Sequence, residues 1–324
     1  MSEHATPLPR EVLRDIAKGL SAPQARWLVD FFYAVQDYRI QASGQLRSMK
    51  QGLDEGVDEL YAYLFEQMQL SEKEIAKALV DYSDSKIPGQ WLKTITGIGP
   101  IISAGLLAHI DITQTPTVGH IWSFAGLNPE MTWEKGQKRP YNAKLKVLCW
   151  KLGDSFVKQS GRAYQPVGEE STGTTEGAEP QESTGSVERA IENESTAERE
   201  RILLSRPARP QDLYLWLYAK RKRQEVARNA EHKFADQAAR ALKERKIKDK
   251  ELRKTYKAGL LPPGRLELRA RRYAVKLLLS HLHHVMYVDH FDEDPPFPYI
   301  LTKEPFKHAH YIAPPGWPLD KEEQ

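Results

Sequence analysis

The sequence predicts a mainly α protein: a helical bundle with a helix-hairpin-helix module, a disordered acidic insertion and a Pro-rich C-terminal tail. Three observations carry that expectation. Apolar residues recur at helical spacing in segment after segment between Ser21 and Tyr287. Gly97-Ile98-Gly99-Pro100 separates two such segments by a turn too tight for bulky residues. Between Gln159 and Pro210 large apolar residues are scarce until Ile202, so this stretch cannot offset the entropy of ordering.

The expected organisation follows from these breaks. Residues 1–85 read as a helical region, with dimerisation as one use of its apolar faces, and 86–158 as the helix-hairpin-helix domain. Residues 159–210 read as a disordered acidic linker, 211–293 as a basic helical region packing on the module, and 294–324 as an irregular tail.

In the first region Leu28, Phe31, Phe32 and Val35 form one apolar stripe, and Leu60, Leu64 and Met68 another. Gly52 and Gly56 break between them. Both faces suit a core or a dimerising helix pair. Ser71 followed by Glu74 reads as a capping box opening a third helix.

The hairpin comes next. Trp91, Leu92 and Ile95 share a helical face after the start signal Pro88-Gly89. Gly97 and Gly99 allow positive φ and leave the backbone uncovered, and Pro100 suits a first helical turn. Ile101, Ala104, Gly105, Leu107 and Ala108 continue the apolar face. Bare amides at a helix start carry partial positive charge and favour an anion, here the phosphate of a nucleic-acid backbone. The competing reading is a Gly-Pro turn that binds nothing.

A short apolar helix, Ile121 to Phe124, is then stopped by Gly126 and Pro129. A basic loop follows from Trp133 to Pro140, with Lys135, Lys138 and Arg139. Leu145, Leu148, Cys149, Leu152 and Phe156 mark an amphipathic helix whose Lys144, Lys151 and Lys158 share another face. From Gln211 to about Lys257 basic residues alternate with Tyr214, Trp216, Tyr218 and Phe234. A last helix, from about Arg265 to Tyr287, buries Ala270, Ala274, Leu277, Leu278 and Val285. It carries Arg269, Arg272 and Lys276 elsewhere on its surface. Phe297, Tyr299, Phe306, Tyr311 and Trp317 are expected to hold the tail on the surface.

Composition narrows the function classes. The single cysteine, Cys149, excludes a disulfide framework and any cysteine-based zinc site. No apolar run spans a membrane and Met1 to Arg10 lacks a signal-peptide core, so a cytoplasmic protein with no membrane partner is expected. The net charge of +3 is uneven. Ten Glu and two Arg between Pro166 and Glu200 give about −8, leaving about +11 on the remainder, a body that attracts polyanions.

The run from Trp91 to Lys158 resembles the C-terminal transposase domain of the DEDD-type, bridge-RNA-guided insertion-sequence transposases (the IS-one-ten class). Gly97 to Pro100 match that family's Gly-Ile-Gly-Pro hairpin, and Ala125, Gly126, Leu127 and Pro129 its Ala-Gly-Leu-x-Pro. The basic loop and following helix match in order, and the helix with Arg269, Arg272 and Lys276 is similar to the family's closing Arg-rich helix. The resemblance implies a nucleic-acid-binding fold of transposase origin. Two departures count against strand transfer. The first ninety residues show no apolar β-run bearing an Asp for a Mg²⁺-holding nuclease sheet. No serine stands between Glu130 and Gly136, where the family places a catalytic Ser-Gly; Ser160-Gly161 lies beyond the next helix. Thr132 has a hydroxyl without the surrounding motif. No catalytic residue is assigned.

His281, His283, His284 and His290, with Asp289, Asp292, Glu293 and Asp294 and later His308 and His310, form the one dense ligand-type cluster. His281 and His284 lie a helical turn apart and could face one ion beside Asp289 or Asp292. The spacing fits no standard zinc motif, and His281 also falls on an apolar face, so no metal is assigned and no cofactor is indicated.

The leading expectation is a transposase-like protein that contacts DNA backbone with little sequence preference and lacks independent strand-transfer activity. Its binding residues would be Thr96, Gly97, Ile98, Gly99, Lys135, Lys138, Arg139, Lys144, Lys151, Arg269, Arg272 and Lys276. Two other readings stay open: an active recombinase or metal-dependent nuclease with unrecognised or partner-supplied catalytic residues, and an RNA-binding structural protein. Whether the chain is an enzyme, and whether it forms a homodimer, is left open by the sequence.

Overall fold

Eleven α-helices make up most of the described residues, and no strand occurs among them. The computed structural model describes residues 9–49, 55–129, 131, 133–160, 207, 209–298 and 311–319. Most of the expected acidic linker, and Thr132, lie outside these. The chain divides into two units, Met1–Cys149 with Leu279–Gln324, and Trp150–Leu278.

In the first unit α1 (Arg10–Lys18) and the long helices α2 (Ala22–Met49) and α3 (Glu55–Asp84) precede the hairpin helices α4 (Ile87–Thr94) and α5 (Pro100–His109). α2 packs on α3, α1 also packs on α3, and α5 packs on α2, α3 and α4. Arg39 pairs with Glu72 between α2 and α3, and Gln36 Nε2 donates to the same carboxylate at 3.1 Å. α5 is buried on every side from Ser103 to His109, which explains its apolar composition throughout. Trp91 is fully buried in α4, and its indole N–H donates to the Pro315 carbonyl at 2.9 Å, holding the tail.

Four helical expectations differ from the structure. The buried stripe of α2 is Ala25, Val29 and Phe32, one position round from the expected face, and Phe31 is exposed. On α3, Leu60 and Leu64 are exposed; the buried positions are Ile75, Leu79 and Tyr82 further along. Ser71 opens no third helix. Its hydroxyl donates to the Gln67 carbonyl at 2.9 Å, one turn back, within an uninterrupted α3. Gly56 likewise lies inside α3.

After α5, Asp111 caps a 3₁₀ turn by accepting from the Thr113 amide, and α6 (Val118–Phe124) follows. Gly126 stops the chain there with φ +66°, and a Cβ on it would meet the Tyr141 ring at 2.9 Å. Asn142 then caps α7 (Ala143–Gln159) by accepting from the Lys144 and Leu145 amides at 3.0 Å. Leu145, Leu148, Cys149, Leu152 and Phe156 are all buried, as their spacing predicts.

The second unit contains α8 (Leu213–Ala230), α9 (Ala235–Glu244), α10 (Lys250–Lys257) and most of α11 (Pro263–Phe291). Phe156 stacks on Tyr214 with ring centroids 5.7 Å apart. Phe234, Ala238, Tyr256, Leu261 and Leu266 form a second cluster, closed by Asn229, whose side chain bonds both the amide and the carbonyl of Leu261. Glu225 is fully buried and ion-paired to Arg221 and Arg269, each at 2.6 Å. Burial of a carboxylate demands such partners. None of the described helices is long and apolar enough to cross a membrane.

Candidate nucleic-acid interface

The hairpin is built by sterics at three glycines. Gly89, in the first turn of α4, sits where a Cβ would fall 2.1 Å from the Ser83 carbonyl oxygen. Gly105 does the same for α5, where a Cβ would lie 2.7 Å from Leu148 Cδ2. Between the helices Gly97 takes φ +93°, the left-handed conformation that L side chains avoid. The Ile98 amide closes the turn on the Ile95 carbonyl at 3.0 Å, and the Ile98 side chain is buried. Leu92, Ile95 and Ile98 thus anchor the turn from beneath.

Gly99 behaves differently from the sequence expectation. Its φ of −90° and ψ of 173° are ordinary extended backbone, and a Cβ added to it would meet nothing within 4 Å. Only Gly97 supplies positive φ to the hairpin. Gly99 is the N-cap of α5, accepts the Ser103 amide at 3.0 Å, and is exposed. The amides of Gly99, Ile101 and Ile102 find no acceptor among the described residues, and no side chain caps this end. Pro100 contributes no N–H. The start of α5 therefore presents several donors and the positive end of a helix dipole at the surface.

The basic loop is ordered by its own contacts. Trp133 Nε1 donates to the Gln137 carbonyl at 2.8 Å, Gly136 turns the chain with φ +98°, and the Arg139 guanidinium lies 5.5 Å from the Trp133 ring centroid. Lys135, Lys138 and Arg139 are exposed, and among the described residues no carboxylate pairs with them.

The remaining expected contacts are less available. Lys144 pairs with Asp30, and Lys158 with Asp154 at 3.0 Å, which neutralises part of the α7 lysine face. Lys151, Arg269, Arg272 and Lys276 belong to the second unit, whereas the hairpin, the loop and Lys144 belong to the first. Arg269 is committed to Glu225, and burial pushes the Lys276 ammonium below its usual range. Arg272 is exposed.

Two residues of the histidine cluster are held by backbone carbonyls. His281 Nε2 donates to the Ile312 carbonyl and His283 Nε2 to the Thr115 carbonyl, each at 2.8 Å. Burial pushes His281 down to about 4 and also lowers His283. Among the described residues no three His, Cys, Asp or Glu side chains come together as a metal-binding group. Sequence reasoning missed Arg240 and Arg265, which share a pocket with Arg245, Arg269 and Arg272. The spacing of Arg265, Arg269 and Arg272 along one helical face was the available signal.

Residues 89–138, from the first turn of α4 through most of the basic loop, match the family described as Transposase IS116/IS110/IS902 family. Over this segment the chain is transposase-like. No curated protein and no solved structure matches the chain.

Proposed function

We propose that this transposase-like chain grips the backbone of DNA through its hairpin and contributes no strand transfer of its own. The carrying observation is the start of α5, where the Gly99, Ile101 and Ile102 amides lie without acceptors beside the positive-φ turn at Gly97. A phosphate oxygen satisfies such donors and lies at the favourable end of the helix dipole. Of the expected residues Thr96 to Gly99, Gly99 joins Ile101 and Ile102 in the backbone contact, whereas the Ile98 amide is spent on the Ile95 carbonyl; Lys135, Lys138 and Arg139 add charge-assisted bonds. These contacts hold the duplex without reading its bases. The transposase match over residues 89–138 supports a nucleic-acid partner for this segment. The reading of no independent strand transfer rests on the absence of serine between Glu130 and Gly136.

Exposed Tyr38, Ile40, Leu60 and Leu64 on α2 and α3 support pairing of two copies, which light scattering of the purified protein measures directly.

The binding mode is tested by fluorescence anisotropy with duplexes of unrelated sequence across a salt series. The expected result is similar affinity for all duplexes and a steep linear fall of log K with log salt. Salt-insensitive binding, or binding confined to one sequence, overturns the reading. Tighter binding to structured RNA than to duplex DNA would select the RNA-binding alternative.

A further inference from the structure

The second unit holds an arginine-lined pocket of about 210 Å³ between α9 and the first turns of α11. Arg240 and Arg245 line it from the α9 side, and Arg265, Arg269 and Arg272 from α11, against the single carboxylate of Glu244. Leu261 and Leu268 supply apolar wall. Arg269 is fixed in place: its Nε donates to buried Glu225 at 2.6 Å, Nη1 to Gln237 at 3.3 Å, and its guanidinium lies 4.4 Å from the Phe234 ring centroid. Its charge is partly offset by that carboxylate, which it shares with Arg221. Arg240, Arg245, Arg265 and Arg272 have no ion-pair partner among the described residues.

Four guanidinium groups around one cavity, set against the one carboxylate of Glu244, repel one another, and the arrangement is relieved by a polyvalent anion. Phosphate answers this lining best. Its oxygens accept from several planar guanidinium forks at once, a geometry that lysine would not provide. Exposed Arg240, Arg245 and Arg272 leave the mouth open to a chain passing across it. We propose that this pocket seats a backbone phosphate of a nucleic-acid strand, a second contact built independently of the hairpin. The choice of a nucleic-acid strand as the phosphate's source rests on the proposed function; the anion site itself does not.

The test uses the full chain and three variants: Arg240→Ala with Arg265→Ala, Arg240→Lys with Arg265→Lys, and Gly99→Val. Arg269 is left intact because removing it would take one of the two ion-pair partners from buried Glu225. Anisotropy with a labelled single strand and its duplex is read across a salt series, with circular dichroism and melting as the folding check. The double alanine variant is expected to remain folded, to lose about tenfold in affinity, and to lower the salt slope by about one to two. The double lysine variant recovers part of both. A folded double alanine variant with unchanged affinity and slope overturns the proposal. Inorganic phosphate separates the sources: if it raises the melting temperature through these arginines while nucleic-acid affinity is indifferent to them, the pocket serves free phosphate and the proposal fails. If Gly99→Val leaves binding intact while the double alanine variant weakens it, the hairpin reading fails and the pocket stands.

Discussion

Gly89 and Gly105 allow helices to touch where any side chain would intervene. A methyl group at Gly89 meets the backbone oxygen of Ser83 at 2.1 Å, and backbone cannot step aside cheaply. Gly89→Ala is therefore expected to destabilise the protein by about 1–3 kcal/mol or more, read as a lower midpoint in denaturant. At Gly105 the obstacle is the movable end of Leu148, so the cost is expected to be smaller. Buried histidines set a second residue-scale expectation. Burial holds His109 and His281 at about 4, below the ordinary 6.5. Above pH 6.5 both are neutral whether the chain is folded or not. As pH falls from 6.5 towards 4, the unfolded chain takes up protons that the folded one refuses. Stability is then lost by about 1.4 kcal/mol per pH unit for each histidine at full difference. Melting temperatures measured between pH 7.5 and 4.5 should fall over this interval. A flat profile would contradict buried, neutral imidazoles at these positions.

At the scale of elements, α3 is the clearest case for a mutation. If Ser71 capped a new helix, Ser71→Ala would cost about 1 kcal/mol. Inside a continuous helix, bonded back to Gln67, the same change is expected to be neutral or slightly stabilising. Denaturant titration distinguishes the two. Much of the helical order was legible because it rests on local signals. Pro88-Gly89, Gly97 to Pro100 and the five apolar positions of α7 marked the hairpin and its following helix within a few residues. What periodicity could not decide was which of two adjacent apolar faces turns inward on α2. α5 packs on α2, with Val29 Cγ1 lying 3.5 Å from where a Gly105 Cβ would sit, and Phe31 is left outside. The expected positive φ at Gly99 failed for a related reason. One left-handed residue, Gly97, reverses the chain, and Gly99 serves as an extended N-cap. The site was less legible than the fold. Arg269 reads as a free cation in the sequence because its partner, Glu225, lies 44 residues earlier and meets it only in the folded chain.

At the scale of the whole molecule, charge is partitioned along the chain. An acidic stretch of about −8 interrupts a body of about +11, and the exposed basic residues of the loop and the arginine pocket stand without partner carboxylates among the described residues. Duplex binding should therefore weaken steeply with added salt. The central claim is narrower: hairpin amides, and not charge alone, hold the phosphate. Gly99→Val isolates it. The added side chain finds open space within the protein and an extended φ that suits β-branching, so the fold is expected to persist at a capping cost below about 1 kcal/mol. The same side chain intrudes where a phosphate would approach the α5 amides. The decisive measurement is duplex affinity of Gly99→Val beside the unaltered chain, with circular dichroism and melting temperature recorded on both. A folded variant whose affinity falls about tenfold or more, beyond the loss from Lys138→Ala, is the expected result. A folded Gly99→Val protein that binds duplex as tightly as the original would contradict the account and leave the hairpin a structural turn.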